Sequence, residues 1–107
     1  MDLRRHQRFP VRLHSVISGQ HREEWLGTLV NLSKGGCLVE TTGQVYSGMH
    51  VSLRLDVPGE SSPILVARAA VRWNRGREIG VGFITVVSPH QERLEQLLQR
   101  LKQDHPD

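Results

Sequence analysis

Apolar and polar residues alternate along most of this chain, most cleanly between Met49 and Val57. There Val51, Leu53, Leu55 and Val57 interleave with Ser52, Arg54 and Asp56. A period of two puts one row of side chains in a core and the other in water, as a half-buried strand requires. Pro58-Gly59 ends it with a turn dipeptide. Weaker forms of the pattern predict five more strands: Val11–Ser18, Trp25–Asn31, Gly36–Thr42, Pro63–Trp73 and Glu78–Val86. Asn74-Arg75-Gly76 reads as the turn between the last two. Gly80 and Gly82 fall inside the sixth strand, where glycine marks a bulge, a barrel corner, or the close approach of a ligand or another backbone.

The period changes after Ser88. Leu94, Leu97, Leu98 and Leu101 recur at helical spacing and form one apolar stripe. Ser88 is a suitable N-cap, Pro89 a favoured first helical residue, and Gln91 stands where a capping box needs it. Six short strands followed by one helix predict a mainly β fold, a closed or nearly closed antiparallel barrel whose terminal helix docks on the barrel or on another chain.

The length, 107 residues, suits a single domain 1–107 with one modest core. Its expected parts are an N-terminal arm at 1–9, a barrel at 10–87 and a helix at 88–103. No apolar run is long enough for membrane insertion, and no apolar segment follows the charged start as in a signal peptide. The expected location is cytoplasmic. A net charge of +3 favours anionic partners without naming one. Cys37 is the only cysteine, so an intramolecular disulfide is excluded, and its apolar surroundings suggest a small buried hydrophobe. The six histidines show no metal-ligand spacing, and His14 and His50 occupy polar positions of strands. Glu23 and Glu24 read as surface charge, and Ser33 lacks a local catalytic signature. These patterns give no argument for an enzyme, a metal or a cofactor.

Two segments stand out. Arg4, Arg5 and Arg8 lie on a short polar tail ahead of the first strand. Guanidinium forks donate paired hydrogen bonds to phosphate or to the O6/N7 edge of guanine, so the tail can act as an anion clamp. The second segment is Asn31-Leu32-Ser33-Lys34-Gly35-Gly36. In an extended chain Asn31 and Ser33 would share a face, Lys34 adds charge, and consecutive N–H groups at Gly35 and Gly36 could cradle an anion. An Asx or Ser turn joining two strands would use the same residue types.

Together the segments form Arg4-x-x-x-Arg8 followed by Asn31-x-Ser33-x-x-Gly36, which resembles the two signature motifs of the PilZ domain family. Ala70-Val71-Arg72-Trp73 and Ile79-Gly80-Val81-Gly82-Phe83 are similar to that family's closing strand pair. The resemblance runs from Arg4 to the terminal helix. It implies a six-stranded PilZ-type barrel with a flexible N-terminal arm, and a receptor for the bacterial second messenger cyclic di-GMP. By the same resemblance, Arg4, Arg5 and Arg8 would meet guanine bases and phosphates, while Asn31, Ser33, Gly35 and Gly36 would surround the ligand. Trp73 is added as a stacking surface or, alternatively, a core residue.

The expected ligand is cyclic di-GMP, which would order an arm mobile without it, and the expected outlet is a protein partner. The chain would act as a monomer or as a ligand-dependent dimer. The alternative is a PilZ-like protein-interaction module that does not bind nucleotide. Long nucleic acid is disfavoured, because its binding uses aromatic platforms among basic residues and only Phe9 accompanies the basic cluster.

Overall fold

In the computed structural model, which describes residues 7–104, the strands are Phe9–Ser18 (β1), Glu24–Leu32 (β2), Gly36–Thr41 (β3), His50–Asp56 (β4), Ile64–Arg75 (β5) and Glu78–Thr85 (β6). One helix, His90–Asp104 (α1), follows them. Strand neighbours run β1-β2-β3-β6-β5-β4, and β4 pairs back onto β1, so the sheet closes into a barrel. All six pairings are antiparallel. Closure removes the free edges that would otherwise invite strand addition. The alternation in β4 is realised directly: Val51, Leu53 and Leu55 are buried, while His50 and Arg54 face water. Ile17, Leu29, Leu55, Ile64 and Ile79 fill the interior.

Three boundaries differ by two residues from the sequence expectation, each for a local reason, and the others by at most one. β1 starts at Phe9, two residues early, because Phe9 is buried and pairs with Leu32. β5 continues through Arg75, since Asn74 pairs with Ile79 and Arg75 with Glu78. Apolar alternation ends at Trp73, yet backbone pairing continues, and the Asn74 amide donates to the Val45 carbonyl. The turn is therefore the two-residue Gly76-Arg77 loop, with Gly76 at φ +63° in the first central position, where a tight hairpin favours glycine.

The third difference lies at the helix start. Ser88 forms no capping box with Gln91; its hydroxyl donates to the Glu92 carboxylate at 2.9 Å. The Val87 carbonyl accepts from the His90 and Gln91 amides at 2.8 and 3.2 Å. Leu94 and Leu97 are buried in the core, and Leu98 and Leu101 pack partly against it. Each fully buried leucine contributes roughly 1.5–3 kcal/mol. Polar links fix the helix to the connection between β4 and β5. Arg93 donates to the Pro63 carbonyl at 2.7 Å and to the Glu60 carboxylate at 2.6 Å, and Arg100 reaches the other Glu60 oxygen at 2.9 Å. The Leu65 amide donates to His90 Nδ1 at 3.1 Å. The Arg93 hydrogen bond holds the Glu60 carboxyl below its usual pKa of 4.5, with help from Arg100. The helix stripe thus docks on the chain's own barrel. Among the described residues, no helix is long and apolar enough to cross a membrane.

Candidate functional site

Antiparallel pairing of β1 with β2 brings the two sequence motifs together. Phe9 lies opposite Leu32 and Pro10 opposite Asn31, so Arg8 emerges beside the end of β2. There Arg8 Nη1 donates to Asn31 Oδ1 at 3.1 Å across 23 residues of sequence. Arg8 is exposed and Asn31 half-buried. Arg4 and Arg5 lie outside the described residues. Beneath this pair Cys37 is buried, and desolvation pushes its thiol up to about 12 against a small opposing pull from the Arg8 charge. At neutral pH it is a packing group, as its sequence context indicates.

The second motif turns after Leu32. The Ser33 amide donates to the Gly36 carbonyl at 2.9 Å, and the Ser33 hydroxyl donates to the same oxygen at 3.2 Å. Ser33 is only 3% exposed, so its hydroxyl closes the turn instead of standing beside Asn31 on one face. Lys34 and Gly35 form the exposed tip. The Gly35 carbonyl accepts from the Phe83 amide at 2.9 Å and ties that tip to β6. Gly36 pairs with Gly82, and a Cβ on it would strike the Val81 carbonyl oxygen. Its need for glycine is steric, because its φ lies outside the left-handed region.

The opposite end of this surface belongs to β5. Asn31 is in register with Leu38, Leu38 with Gly80, and Gly80 with Trp73. In-register residues of neighbouring strands share a face, so Asn31, Leu38 and Trp73 all belong to the outer surface of the barrel, where Gly80 bares its backbone between them. Trp73 is 41% exposed and is not a core residue. Its indole lies on Gly80, where a Cβ would overlap the five-membered ring. Arg72 packs in the same way on Gly82, and Arg75 stands over the indole with its guanidinium carbon 5.6 Å from the ring centroid. The glycines inside the sixth strand therefore mark close approach by two side chains of its neighbour. Sequence reasoning did not select Arg72. Its signal was present as an Arg-Trp pair facing a Gly-x-Gly strand, legible only once the register is known.

The barrel exterior here presents guanidiniums, an amide, glycine-bared backbone and an indole that rests on Gly80 under the Arg75 guanidinium. That chemistry suits a flat anionic ligand bearing hydrogen-bonding edges.

Comparison with known proteins agrees on the fold. The chain aligns over its full length with the inhibitor of motility MotI (DgrA) of Bacillus subtilis, at 22% identity and a TM-score of 0.78, but spans 55% of that protein. Against the PilZ domain of YcgR from Escherichia coli, solved with c-di-GMP, it covers 96% of this chain and 94% of that one, at 14% identity and a TM-score of 0.79. The transcription regulatory factor MrkH matches at 22% identity and a TM-score of 0.70, over 94% of this chain and 52% of that chain. This chain thus spans about half the length of MotI and MrkH. No curated protein matches it. The family description "PilZ domain" matches residues 2–101, nearly the whole sequence. With that match and the six-stranded closed barrel, the chain belongs to the PilZ domain family.

Proposed function

We propose that this chain is a cyclic di-GMP receptor that orders its N-terminal arm on binding nucleotide and passes the signal to a protein partner. The observation that carries the reading is the Arg8–Asn31 hydrogen bond, which joins the two motifs on one surface in the free chain. The bond is also cheap to exchange. A neutral amide oxygen holds the guanidinium only modestly, whereas a phosphate or guanine edge forms stronger, charge-assisted or paired contacts. In this reading Arg4, Arg5 and Arg8 clamp the ligand, Asn31 and the Gly35-Gly36 backbone receive it, and Trp73 stacks against a base. Ser33 supports the site by holding the turn. Support also comes from the similar PilZ domain of YcgR, which was solved with c-di-GMP. An inhibitor of motility and a transcription regulatory factor share the fold, which fits an outlet through other macromolecules.

Calorimetric titration of cyclic di-GMP into the wild type and Arg8→Ala, with GMP as control, tests the proposal. Truncating one partner of a buried charged contact costs about 2–5 kcal/mol, more than tenfold in affinity. Selective wild-type binding that Arg8→Ala weakens by that margin is expected. Absence of binding would overturn the receptor reading. Amide exchange over residues 3–9 checks the arm, whose protection should rise with nucleotide; unchanged exchange would remove the ordering step.

A further inference from the structure

β5 carries one residue more than its partner at Arg72. Val71 pairs with Val81 and Trp73 with Gly80, leaving Arg72 without an opposite residue on β6. Such a bulge re-aims side chains. Val71 is buried, whereas Arg72 and Trp73 after it are both exposed. Gly82 completes the arrangement: a Cβ there would stand 2.7 Å from Arg72 Nε and 3.2 Å from Nη2. The guanidinium therefore rests on bare backbone, and the indole does the same on Gly80. Two planar groups cover positions two residues apart on one strand, about 7 Å along it.

The charge of Arg72 is uncommitted. Arg54, Arg93 and Arg100 each have a carboxylate within 3.2 Å, but Arg72 has none among the described residues. Gly82 is also the residue that pairs with Gly36, so Arg72 stands directly beside the turn of the second motif.

We propose that Arg72 is a binding residue of this surface, taking a phosphodiester oxygen of a guanine nucleotide whose base replaces the Arg75 guanidinium over the Trp73 indole. The proposal rests on the receptor reading and adds a contact that neither sequence motif contains. A base on the indole that turns its sugar toward Gly82 brings a phosphate within reach of Arg72, about 7 Å along the strand. Arg72 is fixed on a barrel strand rather than on an arm, so the contact needs little ordering on binding. The guanidinium offers a phosphate both charge and a planar fork, and each phosphate contact carries part of the salt dependence of binding.

Titration of cyclic di-GMP into wild type, Arg72→Ala, Arg72→Lys and Arg54→Ala, at low and high salt, tests this directly. Arg72→Ala should weaken binding about tenfold or more and flatten its salt dependence. Arg72→Lys keeps the charge but not the planar fork, so it should bind between wild type and Arg72→Ala and keep the wild-type salt dependence. Arg54→Ala removes the same charge elsewhere on the barrel and should bind as wild type does. Because the Arg72 side chain is exposed and its carbonyl keeps the Ser47 hydrogen bond at 3.3 Å, equal melting temperatures are expected. Wild-type affinity in Arg72→Ala, or equal losses in Arg72→Ala and Arg54→Ala, would overturn the contact while leaving the receptor reading intact. No binding by wild type would overturn both.

Discussion

Arginine does opposite work on two flanks of this barrel. On the helix flank, Arg93 and Arg100 share the two oxygens of Glu60, and Arg93 also donates to the Pro63 carbonyl. On the motif face, Arg8 has an amide oxygen and Arg72 a bare glycine. Guanidiniums joined to carboxylates stabilise the fold, because their charge is answered within the chain. Guanidiniums left with neutral neighbours add little to stability, and their charge goes unanswered by the described residues. The motif face is shaped by side chains that are missing, the helix flank by side chains that are joined.

The sharpest test of that difference is at the glycines. Gly36→Ala drives a methyl group into the Val81 carbonyl, which is backbone and cannot swing aside. The expected loss is about 2–3 kcal/mol, typical of overpacking, and appears as a lower urea midpoint at unchanged slope. Gly82→Ala meets only the far end of Arg72. It should cost under about 1 kcal/mol while displacing the guanidinium. Equal losses at the two positions would mean that the face is held by backbone throughout.

Next in size is the arginine comparison itself. Arg93→Ala removes hydrogen bonds from a half-buried guanidinium to a carboxylate and a carbonyl, and should destabilise by about 2 kcal/mol. Arg72→Ala should remain within about 0.5 kcal/mol of wild type, as surface substitutions do. Thermal or urea unfolding of the pair decides the point. A large loss in Arg72→Ala would make that residue structural and erase the distinction.

The sequence showed more of the fold than of the site. All six strands and the helix were legible because alternation and helical spacing report burial directly, as at Val51, Leu53 and Leu55 and at Leu94 and Leu97. What escaped was set by pairing. Nothing in Asn74-Arg75 shows that β5 continues, because hydrogen bonds to Ile79 and Glu78 carry it there without a buried side chain. Likewise the Ser33 hydroxyl looked available beside Asn31, but the turn consumes it. Trp73 could be placed in the core or on the surface from sequence; the register and Gly80 put it outside.

The smallest expected effect separates the flanks by pH. Glu60 titrates below its ordinary 4.5, chiefly because Arg93 donates to the carboxylate, and burial offsets this only in part. Its folded pKa is lowered, so the unfolded chain binds the proton more readily. The stabilisation is complete above the unfolded value near 4.5 and drains away as pH falls through the folded value. Glu60→Gln keeps an acceptor and loses the charge, so it should be about 1 kcal/mol less stable than wild type at pH 7. That gap should narrow once the pH drops below 4.5 and vanish when Glu60 is fully protonated. Arg72→Ala, whose charge answers no carboxylate among the described residues, should instead follow the wild-type acid profile throughout. Parallel curves for wild type and Glu60→Gln would show that the Glu60 charge adds nothing, and that the helix is held by its leucines and by the Arg93 bond to the Pro63 carbonyl.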